Sequence, residues 1–316
     1  MQQTGSSESM RRVYVMALAT IVVTLILITL GGYVRQSGAG LACPDWPLCH
    51  GQVGPPLDKE GTLIEFSHRV VGLIVSLLAL AVGLLAIKYR RESSFILRAA
   101  IISGFLIVGQ VLLGAAVVLI ELQPFLIMGH LALALTFLAT IIVIGLAARS
   151  RIQPFVEGSW ATTAGERRLL VVTLVSLGAL LLVGAFAGGG GAAMSCTGWP
   201  LCNGQLIPTG EFAGLWQVWI IYAHRLLTIS TAVLVLILGW RWRRHEVPAL
   251  RMHASLAAIW MILQIGLGAL NPLFLIPIAV AVAHLGVAAI IWAHLVIAAV
   301  IGLGVLPAAE TKAPTR

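Results

Sequence analysis

The chain has 316 residues, of which 59% are hydrophobic and only 10% charged, and its formal net charge is +8. A soluble domain carries roughly 25% charged residues, so the composition excludes an ordinary soluble enzyme and indicates a polytopic membrane protein. The basic balance tracks the ends of the apolar segments, so it reports topology and does not indicate a nucleic-acid partner.

The polar start, Met1 to Arg12, reads as a short disordered tail. Eight apolar runs follow, near 13–34, 64–87, 97–120, 125–148, 168–188, 217–240, 252–271 and 277–305. Each is close to the ~20 residues that a helix needs to cross a bilayer. The first run is too long for the h-region of a cleavable signal, and it shows no convincing small-residue cleavage site. Positive residues cluster at alternate ends of these runs. The groups are Arg11 and Arg12; Lys88, Arg90, Arg91 and Arg98; Arg149, Arg151, Arg167 and Arg168; Arg241, Arg243, Arg244 and Arg251; and Lys312 and Arg316. The positive-inside rule places those ends in the cytoplasm, together with both termini. Only Arg35, Lys59, Arg69 and Arg225 fall elsewhere. The expected location is the plasma membrane, crossed several times, with lipid as the surrounding partner.

Two loops on the opposite side are near copies. CPDWPLCHGQ (43–52) lies between spans 1 and 2, and CTGWPLCNGQ (196–205) between spans 5 and 6. On this topology both face the oxidising outside, where disulfides persist. Cys43 with Cys49, and Cys196 with Cys202, can each close a small loop. Cross-pairing between the loops stays open, and neither loop has the spacing of a zinc motif. The echo extends further. Gln110-Val-Leu-Leu-Gly-Ala matches Gln264-Ile-Gly-Leu-Gly-Ala, His130-Leu-Ala matches His284-Leu-Gly, and Ser67-His68-Arg69 matches Ala223-His224-Arg225. The fold class expected is therefore all-α, with eight spans arranged as two tandem four-helix bundles related by a pseudo-twofold axis. Their domains are 1–151 and 152–316, joined by a polar linker with Pro154, Gly158 and Gly165.

Ionisable groups inside a span are costly, so each is a candidate for function. His68, His130, His224 and His284 occupy matching places near the outer starts of spans 2, 4, 6 and 8. Each bundle thus offers two imidazoles at one depth from two helices, which suits axial ligation of a haem iron from both faces. Hydrogen-bonded packing histidines are the plainer alternative. No C-x-x-C-H sequence is present for covalent haem attachment. His50, His245 and His253 read as solvated residues in or near loops, and His294, deeper in span 8, as packing. Arg69 and Arg225 directly follow two of the four histidines. A guanidinium fork suits haem propionates, and snorkelling to the interface is the competing role. Gln110 and Gln264 suit either a haem edge or a helix–helix link.

The halves differ at two positions. Glu65 precedes His68 by three residues, on the same helical face, and its counterpart is Ile221. Arg35 corresponds to Gly188, in the run Gly188 to Gly191. A haem that only moves electrons needs ligands and a dry pocket, whereas a reacting site also needs a group that handles protons. This asymmetry assigns catalysis to the first half and electron storage to the second. Stabilisation of a helix N-terminus by a carboxylate is the competing role for Glu65.

Together, Glu65-Phe-Ser-His68-Arg69, the twin CPDWPLC and CTGWPLC loops, and His130, His224 and His284 on eight spans resemble haem A synthase, in its bacterial form with outer cysteine pairs. The likeness covers roughly residues 13–305. It implies conversion of haem O to haem A by oxidation of the carbon-8 methyl to a formyl through successive hydroxylations, with oxygen from water. On this likeness His68 and His130 ligate the iron of haem O, with Arg69 and Arg35 beside it, and Glu65 is catalytic. His224 and His284, with Arg225, hold a resident non-covalent haem b through which electrons leave. The implied partners are haem O, a haem O synthase, and a quinone or other electron acceptor. The rival reading is a di-haem b membrane cytochrome that only transfers electrons. A transporter is a third, but it would place its polar residues nearer the midplane.

Overall fold

The computed structural model describes residues 2–54, 60–153 and 162–307. Pro154 and Gly158 of the expected linker, with Lys59, Lys312 and Arg316, lie outside these residues. The helices are α1 (Gln2–Gln36), α2 (Glu60–Lys88), α3 (Ser94–Leu119), α4 (Pro124–Ile152), α5 (Ala164–Gly189), α6 (Trp216–Trp242), α7 (Pro248–Leu273) and α8 (Ile278–Gly302). All eight are long and apolar enough to span a membrane, and each contains one of the expected apolar runs almost entirely.

One expectation is overturned at the N-terminus. The polar start is not a disordered tail, because α1 continues back to Gln2. Glu8 and Arg12 pair across one turn at 2.6 Å, and Met10 and Val13 are fully buried. An i,i+4 ion pair and a packed apolar face both favour extending an existing helix. At the other end, α8 stops at Gly302, where Gly304 at φ 68° turns the chain.

Local chemistry sets the other boundaries. Ser93 caps α3 by accepting from the Ile96 amide at 3.2 Å. Thr163 and Glu166 form a reciprocal capping box at the start of α5. Pro124 and Pro248 sit in the first turns of α4 and α7, where the missing N–H costs nothing. The turns after α3 and α7 repeat each other. Glu121 and Leu122 have φ of 53° and 57°, and Leu275 and Ile276 have 57° and 58°. Such values are costly for bulky residues. They are held by amide bonds back into the helix, Leu122 to the Val117 carbonyl at 2.8 Å and Ile276 to the Asn271 carbonyl at 2.7 Å, the wider bond of a Schellman cap.

Helix packing repeats with the sequence. α1 packs on α2 and α4 as α5 packs on α6 and α8; α2 meets α3 and α3 meets α4 as α6 meets α7 and α7 meets α8. The two sets join through α1 on α8, α4 on α5, and α4 on α8. In α4 and α8, 56% and 67% of the apolar stretch is buried, against 11–28% in the other six helices. These two form the centre, and the rest present apolar surface outward. Small residues allow the close approaches. Gly145 lies against Ala17, Gly286 against Thr29 and Gly178 against Trp292. Trp292 Nε1 donates to the Leu135 carbonyl at 3.1 Å, tying α8 to α4.

The tightest approach is between α6 and α7. A methyl group on Gly239 would lie 2.6 Å from the Ala258 methyl and 3.1 Å from a backbone oxygen, whereas one on its counterpart Gly83 would meet nothing within 4 Å. Overpacking of this kind costs about 1–3 kcal/mol. Gly239→Ala is therefore expected to lower the thermal unfolding midpoint of the detergent-solubilised protein, and Gly83→Ala to leave it in place. Equal midpoints for the two variants would show that the α6–α7 contact is not tight.

Candidate functional site

The four expected histidines lie at one level. His68 and His224 are eight residues into α2 and α6, and His130 and His284 six residues into α4 and α8. At 1.5 Å per residue that is ~9–12 Å from the helix ends nearest the cysteine loops. Each imidazole packs against a glycine of the preceding helix. A Cβ on Gly31 would lie 3.1 Å from His68, on Gly114 3.0 Å from His130, on Gly184 2.9 Å from His224, and on Gly268 3.1 Å from His284. The Nδ1 atoms of all four are buried and have no hydrogen-bond partner among the described residues. Among the described residues, no three His, Cys, Asp or Glu side chains gather as a metal site, so each bundle presents a pair.

The glutamines join these pairs. Gln110 Nε2 lies 3.1 Å from His130 Nε2, and Gln264 Nε2 lies 3.3 Å from His284 Nε2. They link α3 to α4 and α7 to α8. The glycines went unremarked in the sequence reading as histidine partners. Their signal was present, since Gly31 and Gly184 are spaced like the cysteines, and Gly114 and Gly268 are each the fifth residue of the repeated glutamine motifs.

Above each pair sits a disulfide-closed loop. The bonds are Cys43–Cys49 and Cys196–Cys202, so the pairing lies within each loop and not across them. The two loops reach the same shape with different side chains. In the first, Asp45 accepts from the amides of His50 at 2.6 Å and Gly51 at 2.8 Å. Those amide bonds, Gly51 first, hold the Asp45 carboxyl below its usual range. This support is present at neutral pH and is lost only as acid protonates the group below its unfolded pKa. The second loop has Gly198 in place of Asp45, and Asn203, which replaces His50, takes over. Asn203 accepts from the Thr197 amide at 2.9 Å and donates to the Ser195 carbonyl at 3.0 Å. His50 is exposed, and its Nε2 lies 2.9 Å from the Ala42 carbonyl, the equivalent of Ser195.

Arg69 and Arg225 pin these loops from below. Arg69 Nη1 donates to the carbonyls of Asp45 (2.7 Å) and Leu48 (2.6 Å), and Nη2 to the Cys43 carbonyl (2.9 Å) and Glu65 Oε1 (2.5 Å). Arg225 Nη1 donates to Pro200 and Leu201, and Nη2 to Cys196 and Gly198. Each terminal nitrogen has two N–H bonds to give, and all are used, by loop carbonyls and, for Arg69, by Glu65 as well. Glu65 is 3% exposed. Its second oxygen accepts from the Cys43 amide at 2.8 Å, so the carboxylate joins helix, arginine and loop. Ile221, its counterpart, packs instead on Cys196, Cys202 and Val218.

Arg35 stands apart from both loops. It rises from α1, and its guanidinium lies on α5, with Nη1 3.0 Å from the point where a Cβ on Gly188 would stand. Two further histidines differ from expectation. His253 is not a solvated loop residue. It lies within α7, half-buried, with Nδ1 2.8 Å from Nδ1 of His294 on α8. His294 is thus paired and does not simply pack. Spacing gave no sign of this, because the two lie 41 residues apart and meet only when α7 folds on α8. His245 is half-buried at the α6–α7 turn, where it accepts from the Val247 amide at 3.1 Å.

Comparison with known proteins agrees with this arrangement. Residues 14–296 match the family model described as cytochrome oxidase assembly protein. A heme A synthase of Symbiobacterium thermophilum is 34% identical over 290 residues, covering 90% of this chain and 93% of that protein. A heme A synthase of Shewanella oneidensis is 28% identical over 313 residues, covering 88% and 92%. One from Shouchella clausii is 28% identical over 253 residues, covering 79% and 81%. A match that takes in all eight helices, both disulfide loops and all four imidazoles establishes that the chain belongs to the cytochrome oxidase assembly protein family.

Proposed function

We propose that the protein is a haem A synthase, a membrane oxidoreductase that converts haem O to haem A. The observation that carries this is the set of four buried imidazoles at one level, two to a bundle, in a chain whose relatives bear that name. On this reading the units are 1–151 and 152–316. The cysteine loops face outward from the plasma membrane, and the arginine-rich ends and both termini lie in the cytoplasm.

The residues fit haem. Imidazole is a standard axial ligand, and among the described residues the paired donors come without a third and the four Nδ1 atoms have no protein partner. His224 and His284 would hold haem b, and His68 and His130 the substrate haem O. When bound, haem b supplies a redox centre that passes electrons toward a quinone or other acceptor. Oxidation of the carbon-8 methyl of haem O to a formyl, with oxygen from water, releases four electrons and four protons and ends with loss of water from a gem-diol. The chain must therefore take up protons beside the methyl group. Glu65 is the carboxylate that only the first bundle brings to this level. Its role is to accept a proton, or to stabilise positive charge at the oxidised carbon, as its contact with Arg69 is exchanged. Arg69 and Arg225 keep the loops closed, which excludes water and strengthens charge interactions below them.

The decisive measurement is the extracted pigment. The wild-type protein is expected to yield a formyl-bearing haem beside haem b; haem b alone would sink the synthase reading and leave an electron-transfer cytochrome. Glu65→Gln is expected to cut haem A formation about a hundredfold or more while haem O still binds, and normal haem A in this variant would remove Glu65 from the chemistry. His224→Ala is expected to abolish the haem b spectrum and spare haem O binding by the first half. Loss of haem O alone would reverse the assignment of the halves.

A further inference from the structure

We infer that Arg35, a residue of the first bundle, completes the carboxylate-binding rim of the second and there pairs with a propionate of the haem held by His224 and His284. This rests on the proposed assignment of haem b to that pair.

The placement follows from the repeat. Gly31 packs on His68 as Gly184 packs on His224, so position 35 in α1 corresponds to position 188 in α5. The side chain at 35 does not stay over its own bundle. Its guanidinium lies against Gly188, with Nη1, Cζ and Nη2 at 3.0, 3.5 and 3.9 Å from where a Cβ would stand. Gly184 and Gly188 are four residues apart and share one face of α5. That face meets His224, so the guanidinium lies on the face of α5 turned toward the second histidine pair, one turn nearer the loop end. One turn is ~5.4 Å, the level at which the edge of a macrocycle ligated at His224 would carry its acids.

Among the described residues the cation also lacks a protein counter-charge. Its Nε is buried and makes no hydrogen bond among the described residues. Among them, the ion pairs formed are Arg12 with Glu8 and Arg69 with Glu65, and neither involves Arg35. A half-buried cation in an apolar setting calls for an anion. The arginines next to the histidines cannot supply this contact through their terminal nitrogens, because those are spent on the loops. Gly188 is thus the complement of Arg35: a Cβ there would stand 3.0 Å from Nη1 and crowd the fork.

The test uses the full-length protein in detergent, with His68→Ala as the background so that haem in the first bundle does not contribute. Arg35→Gln is expected to lower the midpoint potential of haem b, because a lost cation disfavours the reduced, less positive iron. It is also expected to speed haem b transfer to apomyoglobin about tenfold or more, as befits loss of a charge-assisted pair. Arg35→Lys should recover part of both effects. Gly188→Ala, which keeps Arg35 but crowds its fork, should shift the potential in the same direction. The inference is overturned if potential and haem b retention are unchanged in both Arg35→Gln and Gly188→Ala. A contribution to the first bundle instead would appear as weaker haem O binding by Arg35→Gln in the His68-intact protein, with haem b unaltered. The haem b assignment is judged separately, by whether His224→Ala loses the spectrum. Loss there with an unshifted Arg35→Gln refutes the role of Arg35 alone.

Discussion

The packing of an imidazole on a glycine, repeated four times, is the contact on which the rest of the structure depends. A buried His needs room for a planar ring between two helices, and helix axes pack only 8–10 Å apart. Glycines at 31, 114, 184 and 268 provide that room. They fix the separations of α1 from α2, α3 from α4, α5 from α6, and α7 from α8. Because the glycines recur at the repeat spacing, the histidines share one level. That common level allows the loops above to cover both sites with the same disulfide-closed shape.

The loops show how one shape survives a change of residues. Asp45 and Asn203 sit at different positions in their loops, yet each satisfies neighbouring backbone amides. The arginines below are conserved in task between the halves: four terminal N–H bonds are given out in each. The difference is in the fourth acceptor. In the first half it is the carboxylate of Glu65, and in the second it is the Pro200 carbonyl. Replacing Glu65 by Ile221 therefore leaves the terminal N–H bonds of Arg225 paired, so the second half forgoes the acid without orphaning the charged donors of its arginine.

Much of this was legible in the sequence. Eight runs of sufficient length and low charge leave few alternatives to eight helices, and a repeat that carries histidines, glutamines and cysteines in register marks the sites. Three features were not legible, each for a physical reason. Hydropathy could not show that α4 and α8 are central, because lipid and protein interior are equally apolar environments. The His253–His294 pair depends on helix facing, which sequence distance does not encode. The loop contacts of Arg69 and Arg225 were not foreseeable because position places a guanidinium near a site, but only the folded loop decides which acceptors its donors meet.

The asymmetry bears on why a duplicated bundle would be useful for oxidative chemistry. A resident cofactor must stay, whereas a substrate must enter and a product must leave. Identical sites would bind both haems equally well, and would not distinguish a resident cofactor from a substrate. The second half has an apolar isoleucine beneath its loop and, on the inference above, borrows a cation from its neighbour; both changes deepen retention. The first half keeps its loop tied through Glu65, the carboxylate proposed above to act in the chemistry. Drawing Glu65 into reaction would withdraw one acceptor from Arg69 and one from the Cys43 amide. On the proposed assignment, loop closure and catalysis would then be coupled through a single side chain, and the half that carries Ile221 lacks that coupling.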